Sequence, residues 1–397
     1  MLSESTSWPN LPPRVKSRFL PVNGLRMHFL EAIPETPRAD EPLGLIILLH
    51  GFPELAYSWR KVIGPLADAG YHVVAPDQRV CGRTTPAGIS AQTKFDDSLL
   101  PFQMTNMVKD VVGLVHSLGY NSVVAVVGHD FGSPIAAYCA LIRPDLFRSV
   151  VMMSAPFTGP PQIKPVPLPK DDLQLDPTMQ MLSDALGKLD PPRTHYTHYY
   201  STRQAGSDML NPPNGLHAFM REYYHVKSAS WEGNHDPKPH PTAVTGPADI
   251  VATMAALPHY YVMGEPTMPL AVNGCGPSGD DSWLTDEELA VYVQEYARTG
   301  FQGNLNWYRI KVLSGWEADC ELFSGKRIEI PAMFIAGSYD WGTYQVTGAA
   351  EMMKEKVCAK MEDQDFVLIE GAGHWVQQEK SVQVVNELLR FLQKTRK

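Results

Sequence analysis

Gly128-His129-Asp130-Phe131-Gly132 follows an apolar, β-branched run, Val123 to Val127, and precedes a helix-like run, Ser133 to Arg143. Strand, abrupt turn and helix make the context of a nucleophile elbow. The central residue of such a turn has strained backbone angles and projects its side chain clear of the sheet. Small residues two before and two after let strand and helix approach, and Gly128 and Gly132 fill those positions. The centre is Asp130 rather than Ser, so an elbow here carries a carboxylate nucleophile. Alone, the pentapeptide reads equally well as an ordinary strand-to-helix loop, because short motifs recur by chance.

Outward from this stretch the chain alternates. Arg18–Leu20 and Leu25–Glu31, joined at Asn23-Gly24, predict an antiparallel hairpin. Leu43–Leu49 is a continuous apolar run, as in a strand buried on both faces, and Tyr71–Ala75 is a second. Helical spacing covers Tyr57–Ala69 and Phe102–Leu118, each stopped by glycine, and Phe147–Met153 is a further strand. Alternation of this kind predicts a parallel doubly wound sheet, with ligands at the strand ends. Residues 1–14 read as a loose arm and 34–42 as a loop.

From Ser154 the composition shifts to a Pro-rich linker, then to Tyr, His, Trp and Pro without strand-helix alternation. Helical patches are expected at 173–189, 216–227 and 285–298, with a loop-heavy middle at 229–282. The domain reading is a core from 1–155 and 326–397, interrupted by a lid at 156–325. Strand pattern resumes at Ala332–Ala336 and Phe366–Glu370, a helical patch lies at Glu351–Lys356, and Ser381–Gln393 closes the chain as a helix.

An elbow needs a base and an acid, in the chain order nucleophile, acid, histidine. After the lid, one strand ends in Gly337-Ser338-Tyr339-Asp340 and the next in Gly371-Ala372-Gly373-His374-Trp375. Either alone is ordinary loop chemistry; with Asp130 they form an ordered triad. The strand before His50-Gly51-Phe52-Pro53 supplies an oxyanion loop, so the N–H groups of Phe52 and Phe131 are the candidate donors. The ordinary role of Phe52 is a core aromatic, which is compatible because the backbone does the chemistry. A cis Pro53 is expected, since the turn has to aim Phe52 N–H inward.

The stretches His50-Gly51-Phe52-Pro53-Glu54 with Trp59-Arg60, Ala75-Pro76-Asp77-Gln78-Arg79, the Asp130 pentapeptide, Leu305-Asn306-Trp307-Tyr308-Arg309 and Gly373-His374-Trp375 resemble soluble epoxide hydrolases of the α/β-hydrolase family, fungal type. The resemblance implies a mostly parallel eight-stranded sheet flanked by helices, with a mostly helical lid inserted after the sixth strand. It implies opening of an epoxide to a vicinal diol through a hydroxyalkyl ester on Asp130, with no cofactor. It also implies two lid tyrosines above the nucleophile, because an alkoxide leaves poorly and a phenol of pKa about 10 can donate a proton. Tyr308 matches one motif. Tyr196 matches the other best, with Tyr199 and Tyr200 as rivals. Val80-Cys81 departs from the family's usual Gly-Tyr before Gly82, which implies an altered loop away from the catalytic strand ends.

Three other readings compete. A haloalkane or haloacid dehalogenase uses the same nucleophile and base, but a halide needs no proton and often an indole after the nucleophile, where Phe131 stands. An epoxide opened by an internal hydroxyl, giving a cyclic ether, needs the same residues. A ligand-binding protein has no use for a complete triad. A Ser esterase is disfavoured for want of Gly-x-Ser-x-Gly. His195-x-x-His198 with His217 and His225 suggests a metal, but His-Glu-x-x-His is lacking, so none is expected.

Composition fits an ordinary globular chain of 397 residues, 44% hydrophobic and 19% charged. A net charge of -9 disfavours nucleic acid as a partner. Five scattered cysteines without Cys-x-x-Cys read as reduced thiols in the cytoplasm. No signal peptide or membrane span is read. The expected partner is a small-molecule epoxide; the lid aromatics Tyr199, Tyr200, Tyr223, Tyr224, Trp231, Trp283 and Trp316 suit a sizeable, partly apolar one or simply pack the lid. A homodimer stays open.

Overall fold

Strands buried on both faces need apolar residues at nearly every position, and the central runs of this chain supply them. The computed structural model describes residues 3–4, 7–34, 44–87, 92–235, 237, 247–277 and 282–396. Its long strands are Lys16–Val22 (β1), Leu25–Ala32 (β2), Leu45–Leu49 (β3), His72–Pro76 (β4), Val123–His129 (β5), Val150–Met153 (β6), Ile328–Gly337 (β7) and Phe366–Ile369 (β8). They lie in the order β1-β2-β4-β3-β5-β6-β7-β8. β2 runs antiparallel to both neighbours; the pairs from β4 to β8 are parallel. Three short pieces, Ser3–Glu4, Thr85–Pro86 and Cys358–Lys360, add to this sheet. The eight-stranded, mostly parallel sheet expected from the sequence therefore forms. The β1–β2 hairpin turns at Asn23 and Gly24, with φ of 45° and 76°, as Asn-Gly predicts.

β5 runs into the elbow and then into the helix Gly132–Ile142. The close approach is absolute here. A Cβ on Gly128 would fall on the carbonyl of Gly132, and one on Gly132 would fall on the Leu49 carbonyl at the end of β3.

Between β6 and β7 the described residues contain helices, including Pro177–Gly187, Tyr196–Tyr200, Leu216–Lys227, Pro247–Ala255, Asp286–Thr299 and Gln302–Val312, and a small ribbon of Thr194–His195 with Val262–Met263. The insertion after the sixth strand is thus mostly helical. Its Asp286–Thr299 helix starts with a capping box between Thr285 and Glu288. Glu288 in turn receives Nε of the buried Arg60 at 2.8 Å, whose Nη1 donates to Gln378 at 2.7 Å. Tyr224 OH reaches Pro53 O at 2.9 Å. These bonds tie the insertion to the sheet's loops.

Three local readings differ. The expected helix at 57–69 is a 3₁₀ turn, Ala56–Trp59, followed by the short helix Ile63–Asp68. Pro65 has no N–H to bond residue 61, so it fits only in the first turn of a new helix. The arm is pinned, because Trp8 is 5% exposed and donates Nε1 to Glu295 at 3.0 Å. The middle of the insertion holds helix at Pro247–Ala255 and Met268–Ala271; residues 236, 238–246 and 278–281 of it lie outside the described residues, as do 35–42 of the expected loop. The Val80-Cys81 loop, expected to be altered, packs on the insertion. Val80 backs onto Gly303, and Cys81 Sγ accepts from Asn304 at 2.7 Å, one turn before Tyr308. Val80 takes φ 55°, a left-handed conformation that costs a non-glycine residue about 1–3 kcal/mol.

Overpacking the elbow should be costly. Gly128→Ala is expected to lower unfolding stability by about 3 kcal/mol or more, read as a fall in the urea midpoint. A midpoint equal to wild type would refute the contact.

Candidate active site

Loops at the C-terminal ends of β3, β5, β7 and β8 bring Phe52, Asp130, Asp340 and His374 together. Asp130 sits at φ 51°, the strained conformation expected of an elbow, held by its own N–H to Met153 O at 3.1 Å. Its side chain is 14% exposed. Oδ1 accepts the Phe52 N–H at 2.9 Å, and the Phe52–Pro53 peptide is cis. Phe131 is the N-cap of the Gly132–Ile142 helix, so the positive end of that helix dipole also faces the carboxylate.

His374 Nδ1 donates to Asp340 Oδ1 at 3.0 Å. Its Nε2 lies 3.4 Å from Asp130 Oδ2, in ion-pair contact rather than a well-formed hydrogen bond. Burial works against charge on this ring, but Asp340 and Asp130 outweigh it and push the imidazole up to about 9. The same pairing holds both carboxyls below their usual range, although burial alone would raise them. These directions favour two carboxylates and one imidazolium in the resting site.

The opposite wall is phenolic. Tyr308, on the Gln302–Val312 helix, packs on Phe52 at 5.6 Å and Phe131 at 5.4 Å between ring centroids. Tyr196, first in the Tyr196–Tyr200 helix, lies 5.9 Å from Tyr308, and its OH donates to Gln345 Oε1 at 3.2 Å. Burial first, and then the Asp130 charge, push both phenols well above their ordinary value, so both are held as donors. The rival hydroxyls are engaged elsewhere. Tyr199 OH donates to Asp208 at 3.2 Å, and Tyr200 OH pairs with Tyr223 OH at 3.0 Å.

Two groups escaped the sequence reading. Glu54 and His129 form a buried pair at 2.5 Å behind the triad. Glu54 Oε2 also accepts Gly51 N–H at 3.0 Å, its Oε1 accepts Gln377 at 2.8 Å, and His129 Nε2 reaches His374 O at 2.7 Å. The pair braces the loop at Gly51 against the backbone of His374. Glu54 and His129 both stand in the quoted motifs, but their pairing needs the fold. The second group is Lys227, whose carbonyl accepts the His374 N–H at 2.8 Å. Nothing in its local sequence signals a site.

Two cavities flank the tyrosine wall. One of about 840 Å³ is lined by Met179, His195, Tyr196, Met254 and Gln345. One of about 250 Å³ is lined by Phe131, Tyr138, Phe157, Ile310 and Trp316. Trp59 and Trp375 are fully buried supports. His195 Nδ1 faces Thr197 Oγ1 at 2.8 Å and His198 Nδ1 faces Ser183 Oγ at 2.7 Å. Among the described residues no cluster of His, Cys, Asp or Glu has metal-binding geometry, and no helix is long and apolar enough to cross a membrane.

Comparison with known proteins agrees with this geometry. The profile of the α/β hydrolase fold matches residues 44–215. Epoxide hydrolase A of Mycobacterium tuberculosis is 33% identical over 383 residues, covering 94% of this chain and 96% of that protein. An epoxide hydrolase from an endophytic Streptomyces superposes with a TM-score of 0.72 at 27% identity, covering 97% of each chain. Epoxide hydrolase A from Mycobacterium thermoresistibile gives 0.68 at 30% identity, covering 96% of this chain and 98% of that one. A carboxylate on an elbow with its histidine and acid, facing a wall of phenols, and this likeness along nearly the whole chain lead to one conclusion: the chain belongs to the epoxide hydrolases of the α/β-hydrolase fold.

Proposed function

We propose that this enzyme converts an epoxide to a vicinal diol through a covalent ester on Asp130. What supports the reading is one opposition: a carboxylate with its base on one side, and two protonated phenols on the other. Oδ2 of Asp130 attacks an epoxide carbon, while Oδ1 stays on the Phe52 N–H and becomes the ester carbonyl. The C–O bond of the ring breaks, and Tyr308 and Tyr196 hydrogen-bond and protonate the departing oxygen. Esterification removes one of the two carboxylate charges that hold the proton on His374. That proton is the equivalent needed to restore the phenol, and the imidazole is left neutral.

Neutral His374, oriented by Asp340, then takes a proton from water. The hydroxide attacks the ester carbonyl, and the Phe52 and Phe131 N–H groups hold the oxyanion. Collapse expels the diol's alkoxide, which takes the proton of the newly formed Asp130 carboxyl group, and leaves the diol, the Asp130 carboxylate and a protonated His374. Segment 156–325 acts as the lid carrying the phenols, over a core of 1–155 and 326–397. Five free cysteines suit a reducing compartment, and we assign the enzyme to the cytoplasm. A halide would leave without a proton, so the tyrosine pair favours an oxygen leaving group.

The test uses whichever member of an aryl, alicyclic and long-chain epoxide panel is turned over fastest. A single turnover in heavy-oxygen water is expected to label Asp130 and leave the first diol unlabelled; label in that diol sinks the ester scheme. His374→Gln should accumulate the ester, seen by mass spectrometry of the intact protein. Tyr308→Phe and Tyr196→Phe should each slow ester formation about 10²-fold or more, with rapid-mixing kinetics as the readout. Ester hydrolysis should rise with pH through a limb lying below the pH at which His374 titrates in the resting enzyme, since the raised resting affinity loses its Asp130 contribution in the ester. A limb at or above the His374 titration of the resting enzyme, followed by NMR, contradicts the proposed charge loss.

A further inference from the structure

A buried cation is expensive unless an anion faces it. Lys227 ends the Leu216–Lys227 helix and is 3% exposed. Its ammonium meets rings instead: Tyr223 and Tyr261 at 4.9 Å from centroid to Nζ, and Tyr196 and Tyr260 at 5.7 Å. Four rings from three stretches thus surround the one ammonium. The cage is held from outside. Tyr260 OH donates to Asn234 at 2.6 Å, Tyr223 OH pairs with Tyr200 OH at 3.0 Å and Tyr196 OH donates to Gln345 at 3.2 Å. The rings are thus turned so that their faces take the cation. The carbonyl of this same residue accepts the His374 N–H at 2.8 Å, so the cage and the base move together.

The charged groups around His374 come from several elements. Asp340 and Asp130 stand at 3.0 and 3.4 Å. The His129 ring, paired with Glu54, lies 5.1 Å away. Glu379 accepts the N–H groups of Gly373 and Trp375 on either side. Both contacting carboxylates favour the imidazolium; Lys227 opposes them.

We propose that Lys227 is a positioning residue whose caged ammonium lowers the proton affinity of His374, and so the pH at which the Asp130 ester is hydrolysed. The inference rests on the reading of His374 as the base. In the resting enzyme the Lys227 charge already works against the imidazolium and for the Asp130 carboxylate. Once Asp130 is esterified, only Asp340 holds the proton in direct contact. The opposition from Lys227 then carries more weight, and the ring becomes neutral when water has to be activated. A four-ring cage suits that task better than an ion pair, because a carboxylate partner would cancel the field.

Lys227→Met keeps an apolar stem in the cage and removes the charge; Lys227→Arg keeps the charge. Ester hydrolysis is followed in single turnovers across pH with the same epoxide, alongside thermal unfolding. For Lys227→Met the limb is expected to move up by about one pH unit, slowing hydrolysis at pH 7 about tenfold and recovering at higher pH. Lys227→Arg should leave the limb where wild type has it. Uniform slowing at every pH by Lys227→Met, as a packing defect would give, overturns the proposal. So does an equal shift in both variants, or a loss confined to ester formation. Failure of the underlying reading shows separately, as absence of trapped ester in His374→Gln with Lys227 intact.

Discussion

At the elbow the Gly132 carbonyl occupies the space that a side chain on residue 128 would need. This single steric constraint lets the Gly132–Ile142 helix start directly behind β5. It presses Asp130 into φ 51° and turns its carboxylate toward the Phe52 N–H. The other site groups are arranged with respect to that carboxylate. The oxyanion loop follows β3, the neighbour of β5, and the acid and base loops follow β7 and β8 on the other flank.

Burial then sets the chemistry. A carboxylate removed from water would ordinarily take up a proton. Here the His374 ring in contact holds the Asp130 carboxyl below its usual range, as the proposed nucleophile requires. Phenols removed from water keep their protons more tightly, which suits groups that must donate. The same dry surroundings therefore push the proposed nucleophile and the proposed acids apart in proton affinity, and the difference comes from their neighbours. The Glu54–His129 pair belongs to the same scheme, because it links the oxyanion loop to the backbone of the base through buried polar bonds.

Much of the core was legible because it follows from sterics and order. Gly128 and Gly132 mark a close approach that no other residue permits. Asp340 and His374 end consecutive strands in the order an elbow demands. The hairpin at Asn23-Gly24 is a local backbone preference. What was not legible depends on contacts distant in the chain. Trp8 finds Glu295 across 287 residues, so its arm looked loose. The Gln302–Val312 helix is buried on nearly every side and so shows no polar face for periodicity to detect. Tyr196 was the best match in sequence, but what separates it from its rivals Tyr199 and Tyr200 is what their hydroxyls reach. Lys227 ends an otherwise ordinary amphipathic helix, and its cage draws tyrosines from three separate stretches.

The loop of the base has an unusual architecture. His374 N–H bonds Lys227 O, and Glu379 gathers the N–H groups of Gly373, Trp375 and Ala229. The turn at 227–229 of the insertion thus serves as part of the scaffold for a residue that follows β8. On that flank the insertion is masonry, bonded into the wall that carries the histidine. Exchange of insertions between related cores, in evolution or by design, would have to carry this turn along or leave the histidine without a seat.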